Sequence, residues 1–390
     1  SVGYTGTQNV DPAQARYRYE YYDYSYGDMI GAQLVALANT KLKWQRVLDY
    51  NFGTDIAIKH FLTLRAEYYI QKTDNLLSDV SLPASTGFAN YKENLGVIEN
   101  KGYELAMSVT PWRNESQQAY VTFTATAMHN ENKIKKIYDI FKNSNEEQNA
   151  SLDSGYDFNT DREMTSEVVQ KYVNKLTKPA TLYYEGVSMD AIWGMRSLGV
   201  DPTTGTEMFL TKDGESTFTW SAAEQVVVGN TTPKLRGSLG INAGYKGFTF
   251  SIACNYTLGG DLYNSNLIAR MENVTGLENL DRRLWKAWQK PGDIAPYKKV
   301  YIMSSNVSSK MTEMTRPTSR FVQKNNELYI STVNVGYDFV GAAWLKKVAL
   351  QRLRLSFYMN ELLRVSSIDI ERGTSYPFAR NFSFSLQATF

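Results

Sequence analysis

Few residues in this chain are suited to covalent chemistry, and many are suited to contact. Among 390 residues there are two histidines, His60 and His129, and one cysteine, Cys254. His60 falls in a tight turn and His129 near the far end of an alternating segment, which predicts that they stand at opposite ends of the structure. No Ser/His/Asp arrangement and no HExxH helix is visible. A hydrolase would need an Asp–His pair with a bell-shaped pH profile, and the chain reads as a non-enzyme. Asp153, Asp157 and Asp161 recur every four residues, unlike the alternate-residue spacing of a calcium loop, and read as a solvated acidic stretch. No metal or cofactor is expected. Cys254 has no partner for an intrachain disulfide and reads as a small apolar side chain. Contact residues are abundant: 27 Tyr, 17 Phe and 7 Trp. Tyr17, Tyr19, Tyr21, Tyr22, Tyr24 and Tyr26 crowd one short stretch. An aromatic face with a polar tip suits a sugar or a peptide, so Tyr21, Tyr22, Tyr24 and Tyr26, with Trp193 and Trp220, are the candidate ligand contacts. The same residues also suit an aromatic girdle at a membrane surface or packing beneath a partner. Trp285 and Trp288 sit three apart on a helix expected at Leu280–Gln289, which predicts a shared face packed on neighbouring loops.

The elements that must position these residues are strands. From Asn381 the alternation is strict: Phe382, Phe384, Leu386, Ala388 and Phe390 on one face, Asn381, Ser383, Ser385, Gln387 and Thr389 on the other. Nine further alternating segments precede it, at Ser1–Gly6, Lys43–Ile58, Phe61–Leu77, Val97–Trp112, Gln118–Ile134, Lys234–Tyr245, Gly247–Leu258, Asn325–Val340 and Ala349–Leu363. The short connections follow the second, fourth, sixth and eighth strands, and the long ones follow the odd strands. In an up-and-down antiparallel sheet alternate connections lie at opposite ends, so the long loops share one end. A small hairpin within Tyr183–Leu210 turns through Asp201-Pro202-Thr203-Thr204-Gly205, and the stretch Asn143–Leu176 is polar and partly helical.

The polar faces carry many charges, including Asp49, Asp55, Arg65, Glu67, Glu104, Arg236, Arg352 and Arg354. A packed core would not accept them unpaired, whereas a water-filled lumen would. Together with segments of about ten alternating residues, this is the signature of a transmembrane β-barrel. A soluble sheet with one wet face shares the alternation but accommodates long connections poorly. No apolar run approaches the ~18 residues of a membrane helix. Lys41, Lys43 and Arg46 read as snorkelling charges near strand ends. Charge is nearly balanced, 42 basic against 40 acidic residues, so nothing points to nucleic acid.

Several stretches resemble the SusC/RagA-like family of TonB-dependent outer-membrane transporters. They are Leu42-Lys43-Trp44-Gln45-Arg46 followed by Tyr50-Asn51-Phe52-Gly53, then Glu67–Leu77, Asn100–Leu105, Gly199-Val200-Asp201-Pro202, Gly229–Lys234, Asn255–Asn264, Ser319–Val322 and Gly373–Arg380. The resemblance implies an all-β chain, residues 1–390, contributing about ten C-terminal strands to a 22-stranded barrel. It implies active import of oligomeric nutrients, glycans first and oligopeptides as the alternative. The implied partners are a SusD-like surface lipoprotein lid, outer-membrane lipid, and the TonB complex through an N-terminal part. This chain holds about ten strands and no plug or TonB-contact segment is found, so a longer polypeptide or a second chain is expected to complete it. The implied location is the outer membrane of a Gram-negative bacterium. Phe390, the aromatic end of the last strand, resembles the terminus that barrel-assembly machinery reads. A passive adhesion or structural barrel is the competing function.

Overall fold

A computed structural model describes residues 1–7, 16–27, 29–82, 86–88, 90–153, 176–274, 280–300, 314–339, 342–369 and 380–390. Its strands in chain order begin with β1 (Val2–Thr7), the hairpin β2 (Arg18–Tyr26) and β3 (Met29–Ala36), β4 (Gln45–Ile58), β5 (Leu62–Ser81), β6 (Asn90–Asn114) and β7 (Ala119–Ile137). After the helix α1 (Asp139–Asp153) come the short strands β8 (Ala191–Gly194), β9 (Arg196–Val200), β10 (Glu207–Leu210), β11 (Ser216–Thr217) and β12 (Val226–Asn230). Long strands then resume with β13 (Leu235–Tyr245), β14 (Phe248–Tyr263), β15 (Val322–Asp338), β16 (Arg352–Ser366) and β17 (Asn381–Thr389).

Ten of these form one sheet in the order β1-β4-β5-β6-β7-β13-β14-β15-β16-β17. Every neighbouring pair is antiparallel, and these are the ten strands expected from the alternation. Register is set by the apolar positions. One level of the sheet reads Ile58, Leu62, Val109, Phe123, Ile241, Ile252, Val333, Met359 and Phe382 through nine successive strands. A slip of one residue in any strand would flip its whole apolar set to the other face. Where the sequence breaks its period, the ladder bulges. In β15 and β16 the pairing jumps between Ile330 and Thr332 and between Leu363 and Asn360, and Glu361 adopts a positive φ of 55°. The jump brings Leu328 and Ile330 to the side of Val333, paired with Leu363 and Val365, which stay on the side of Leu355; Leu328, Leu355, Leu363 and Val365 are all exposed. The β13–β14 hairpin closes in two residues, Lys246 and Gly247, at φ 46° and 88°, as a type I′ turn requires.

The apolar face of this sheet is uncovered. Phe52 is 61% exposed and Phe384 84%, with Ile56, Leu105 and Leu239 also exposed. Burial is concentrated at the end reached by the long connections. There Val80, Leu95, Ile98, Ile134, Ile137 and Phe141 form one cluster, joining the upper reaches of β5, β6 and β7 to α1. A second cluster packs Leu152 and Leu176 on Ala222. The described parts of the segments between β7 and β13 and between β14 and β15 thus fold into a cap.

Four expectations need correction. Leu280–Gln289 is not an α-helix but a single 3₁₀ turn, Arg282–Lys286. Beyond it the chain is pulled straight: the Trp288 N–H donates to Tyr297 O at 3.1 Å and its indole Nε1 to Pro202 O at 2.9 Å. Trp285 and Trp288 therefore do not share an environment, being 80% and 8% exposed. His129 lies at the middle of β7 rather than near its end, on the outer face, stacked 5.1 Å from the Tyr103 ring. The connections are also less cleanly sorted than the alternation suggested. Residues 82–89 link β5 to β6 at the long-connection end, fewer than residues 339–351 at the other end, because β5 and β6 carry that height as strand, over 20 and 25 residues.

Candidate functional site

The face opposite the exposed apolar rows is polar. One level of it runs Glu67, Glu104, Met128, Arg236, Thr257 and Glu327 across six strands. Each of these side chains points inward because its strand neighbours are the outward apolar ones. The level contains a depression of about 740 Å³, lined in part by Arg65, Glu67, Glu104, Arg236 and Asn255. Its charges are only partly paired. Arg65 bonds Glu67, and Asn51 Nδ2 donates to the other oxygen of Glu67 at 3.2 Å. Glu104 sits directly across from Glu67, a like-charge juxtaposition that destabilises a sheet. Arg236 donates to Met128 Sδ at 3.4 Å and meets no carboxylate among the described residues. Above this level Tyr69 OH donates to Asn130 Oδ1 at 3.0 Å.

A larger cleft of about 1140 Å³ opens toward the cap, beneath the turn Arg282–Lys286. Arg282, Arg283, Arg364 and Arg380 line it together with Asp281, Glu361, Asp369 and Tyr329. Asp281 caps the turn. It accepts from Arg283 Nη2 at 2.7 Å and from the Arg283 backbone N–H at 2.9 Å, which hold its carboxyl down at about 2. Arg364 Nη2 donates to Glu327 Oε2 at 2.6 Å.

The cap is fastened by an ion cluster. Arg320 makes a fork with Glu207, at 3.1 and 2.7 Å, and a second with Glu272, at 2.6 and 2.9 Å. Glu272 also accepts from Thr315 Oγ1 at 2.5 Å and from the Lys298 N–H at 2.8 Å. Burial alone would raise the Glu272 carboxyl, but the Arg320 charge and these hydrogen bonds outweigh it and hold it below the usual carboxylate range. The cluster ties the β9–β10 hairpin, the end of the helix Ser265–Met271 and the start of β15 into one unit.

The tyrosine run is not a loop but the paired hairpin β2–β3. Tyr19 and Tyr21 alternate along β2 and are exposed, with Tyr17 just before them. Tyr22 is also exposed, and its hydroxyl donates to Gln33 Oε1 at 3.1 Å. Tyr24 and Tyr26 continue the same strand. Trp193 lies on β8, buried in the cap with its ring 4.9 Å from Tyr184. Trp220 is half-buried against the Leu152 cluster, donating from Nε1 to Pro317 O at 3.0 Å beneath Arg316. Phe390 follows the last strand and is exposed. Cys254 lies on the outer face opposite Leu239. Asp153 ends α1 and accepts the Ala222 N–H at 2.6 Å, while Asp157 and Asp161 lie outside the described residues. Among the described residues no His/Cys/Asp/Glu group could hold a metal. Sequence reasoning missed Arg282, Arg364 and Arg380. Their only signal is a lone basic residue beside a strand end, and nothing local shows that distant segments converge.

No family model matches the chain. It is 24% identical over 368 residues to the TonB-dependent receptor P39 of Formosa agariphila, covering 88% of this chain and 34% of that protein. It is 31% identical over 137 residues to the TonB-dependent receptor SusC of Bacteroides thetaiotaomicron, covering 33% of this chain and 14% of that protein. Its fold matches a structure of the RagAB peptide transporter with a TM-score of 0.70 at 18% identity, over 94% of this chain and 36% of that one. The chain thus spans about a third of the length of the first of these relatives, and its sheet has the RagA barrel fold.

Proposed function

We propose that this chain, similar to TonB-dependent receptors of the SusC kind, forms the C-terminal wall of an outer-membrane barrel that imports oligomeric nutrients. The observation that carries the reading is the uncovered apolar face. Burying one Val, Leu, Ile or Phe side chain is worth about 1.5–3 kcal/mol. A nine-residue level left in water would therefore forgo on the order of 15 kcal/mol, comparable to the whole stability of a domain. Lipid outside removes that cost. Aromatic rows bracket the apolar zone, as in the girdles of membrane barrels. Phe52, Tyr68, Tyr103 and His129 share one level. Trp112, Tyr245, Phe248 and Tyr337 mark the other side, with Phe248 and Tyr337 5.0 Å apart. On β6 the interval from Tyr103 to Trp112 is ~30 Å along a strand rising about 3.3 Å per residue. A tilt of about 40° reduces that to the roughly 25 Å of an outer-membrane apolar band.

In this reading the polar face lines the lumen and the cap stands at the outer mouth. A SusD-like lipoprotein closes over that mouth, and TonB supplies the energy through an N-terminal part of the polypeptide. The substrate is a glycan, taken up by the exposed tyrosines Tyr21 and Tyr22, with Tyr24 and Tyr26, and by the cap that holds Trp193 and Trp220. Phe390 serves barrel assembly. Deletion of the gene followed by growth on single oligosaccharide or peptide sources tests the proposal. Loss of growth on one oligosaccharide is expected. Loss on peptides alone would transfer the reading to oligopeptide import, and unchanged growth on all sources would favour a passive barrel.

A further inference from the structure

We propose that the outer face of β5, β6 and β7, above the aromatic level of Tyr68, Tyr103 and His129, docks the phosphorylated headgroup of an outer-leaflet glycolipid, held by Lys72, Lys101 and Lys133. The inference goes beyond import and rests on the membrane orientation of the preceding reading. Cross-strand pairing fixes the layout. Above the aromatic row stand Tyr50, Ile70, Lys101 and Glu131. The next level is Leu48, Lys72, Glu99 and Lys133, and the one above it Arg46, Asp74, Val97 and Lys136. Levels are about 6.6 Å apart along a strand and neighbouring strands about 4.8 Å apart. Three lysines on three adjacent strands therefore fall within roughly 10 Å of one another. A register shift between Ile134 and Lys136 adds Lys135 to the same face.

The carboxylates of this face do not satisfy its bases. Lys101 and Lys135 both reach the same oxygen of Glu99, each at 3.0 Å, and Lys133 meets Glu131 at 2.7 Å. Lys72 stands 3.7 Å from Asp74, while Arg46 and Lys136 make no ion pair among the described residues. The four paired lysine side chains are 45–48% exposed. An ammonium group has three donors, so one bond to a carboxylate leaves others for phosphate oxygens. A surplus of positive charge at the headgroup level attracts anionic headgroups. At the opposite end of the sheet the tight turns carry one lysine each, Lys59 and Lys246, and Arg113 and Arg352 are paired with Glu115 and Asp338. The basic group thus marks the long-connection end, where the outer leaflet presents glycolipids with phosphorylated sugars. Below it the outward residues of β7 are His129, Ala127 and Ala125. The two alanines form a shallow lane between Leu105 and Met107 on β6 and Leu239 on β13. From His129 to Phe123 the lane runs about 20 Å, which gives an acyl chain room to lie beneath its headgroup.

Native mass spectrometry of the purified full-length protein in detergent tests this, by titration with bisphosphorylated lipid A, enzymatically dephosphorylated lipid A and phosphatidylglycerol. Saturable binding of bisphosphorylated lipid A is expected, weakening as salt rises. Lys72→Gln, Lys101→Gln and Lys133→Gln should each weaken it roughly fivefold, and the three together about a hundredfold. The corresponding triple change to Arg, which keeps the charge, should retain it, and Lys246→Gln at the opposite end should leave it unchanged. Heat-modifiable electrophoretic migration confirms that each variant is folded. The proposal is overturned if the triple Gln variant binds as wild type does, or if dephosphorylated lipid A or phosphatidylglycerol binds as tightly as the bisphosphorylated form. Protein that inserts into phosphatidylcholine vesicles yet binds no lipid A would remove the site and leave the membrane reading standing. Protein that does not insert would remove the reading beneath it.

Discussion

The sheet and the cap of this molecule are built on opposite rules. In the sheet, large apolar side chains such as Phe52, Phe384 and Leu239 face outward and charges such as Glu67, Glu104 and Arg236 face inward. In the cap, apolar side chains such as Phe141, Met271 and Phe321 are inside, and an Arg320–Glu207–Glu272 cluster is buried with them. One chain cannot satisfy both rules in one solvent. The difference is the imprint of two: lipid around the sheet and water around the cap. Stability in the cap comes from burial and paired charge, and in the sheet from the backbone ladder and the surrounding bilayer.

The largest expected effect falls in the cap. Arg320→Ala leaves Glu207 and Glu272 buried without a counter-charge, a loss of about 3–5 kcal/mol. Hydrogen exchange should rise across β9, β10 and the helix Ser265–Met271 while β4–β7 stay protected. Uniform loosening of both regions would erase the contrast between them.

Next in size is a charge on the outer face. Ile241→Arg, at the middle of the apolar zone, should cost about 2–4 kcal/mol of folded barrel in bilayers. Asn242→Arg, one residue on and facing inward, should cost under about 1 kcal/mol. Urea titration in lipid vesicles separates them, and equal costs would break the assignment of faces.

A smaller effect concerns acid. Glu272 and Asp281 hold their protons less tightly folded than unfolded, Glu272 below its ordinary range and Asp281 at about 2. Their stabilisation is therefore fully present above the ordinary carboxylate value of about 4.3 or less. It is lost as pH falls through the folded values. Protease sensitivity of the cap should rise between about pH 4 and pH 2 while the sheet resists. A cap that loosened instead as pH rose from neutral would contradict the sign.

The sheet was largely legible in the sequence because a strand wall writes its structure locally. Strict alternation from Phe382 to Phe390 needs nothing distant to be read. The reading faltered where tertiary packing overrides local pattern. Leu280–Gln289 has helical spacing, but burial of Trp288 against Pro202 straightens it after one turn. The bulge in β15 between Ile330 and Thr332 shifts the face of Leu328 and Ile330 with no sequence signal beyond a broken period. The cap's chemistry was hidden for a different reason. Arg320 and Glu207 are 113 residues apart and meet only in the fold. The arginines of the cleft likewise come from separate segments, whereas the tyrosines that drew attention are neighbours in sequence.

The claim beneath all of this is that the outer face of the sheet meets lipid, and Cys254 is a natural reporter. It lies on that face, opposite Leu239 and next to the level of Ile241 and Ile252. A nitroxide attached to Cys254, in the protein reconstituted into bilayers, can be tested for collision with oxygen, which concentrates in lipid, and with a water-soluble nickel chelate. High oxygen and low nickel accessibility is the predicted result. High nickel accessibility would place this face in water and contradict the account.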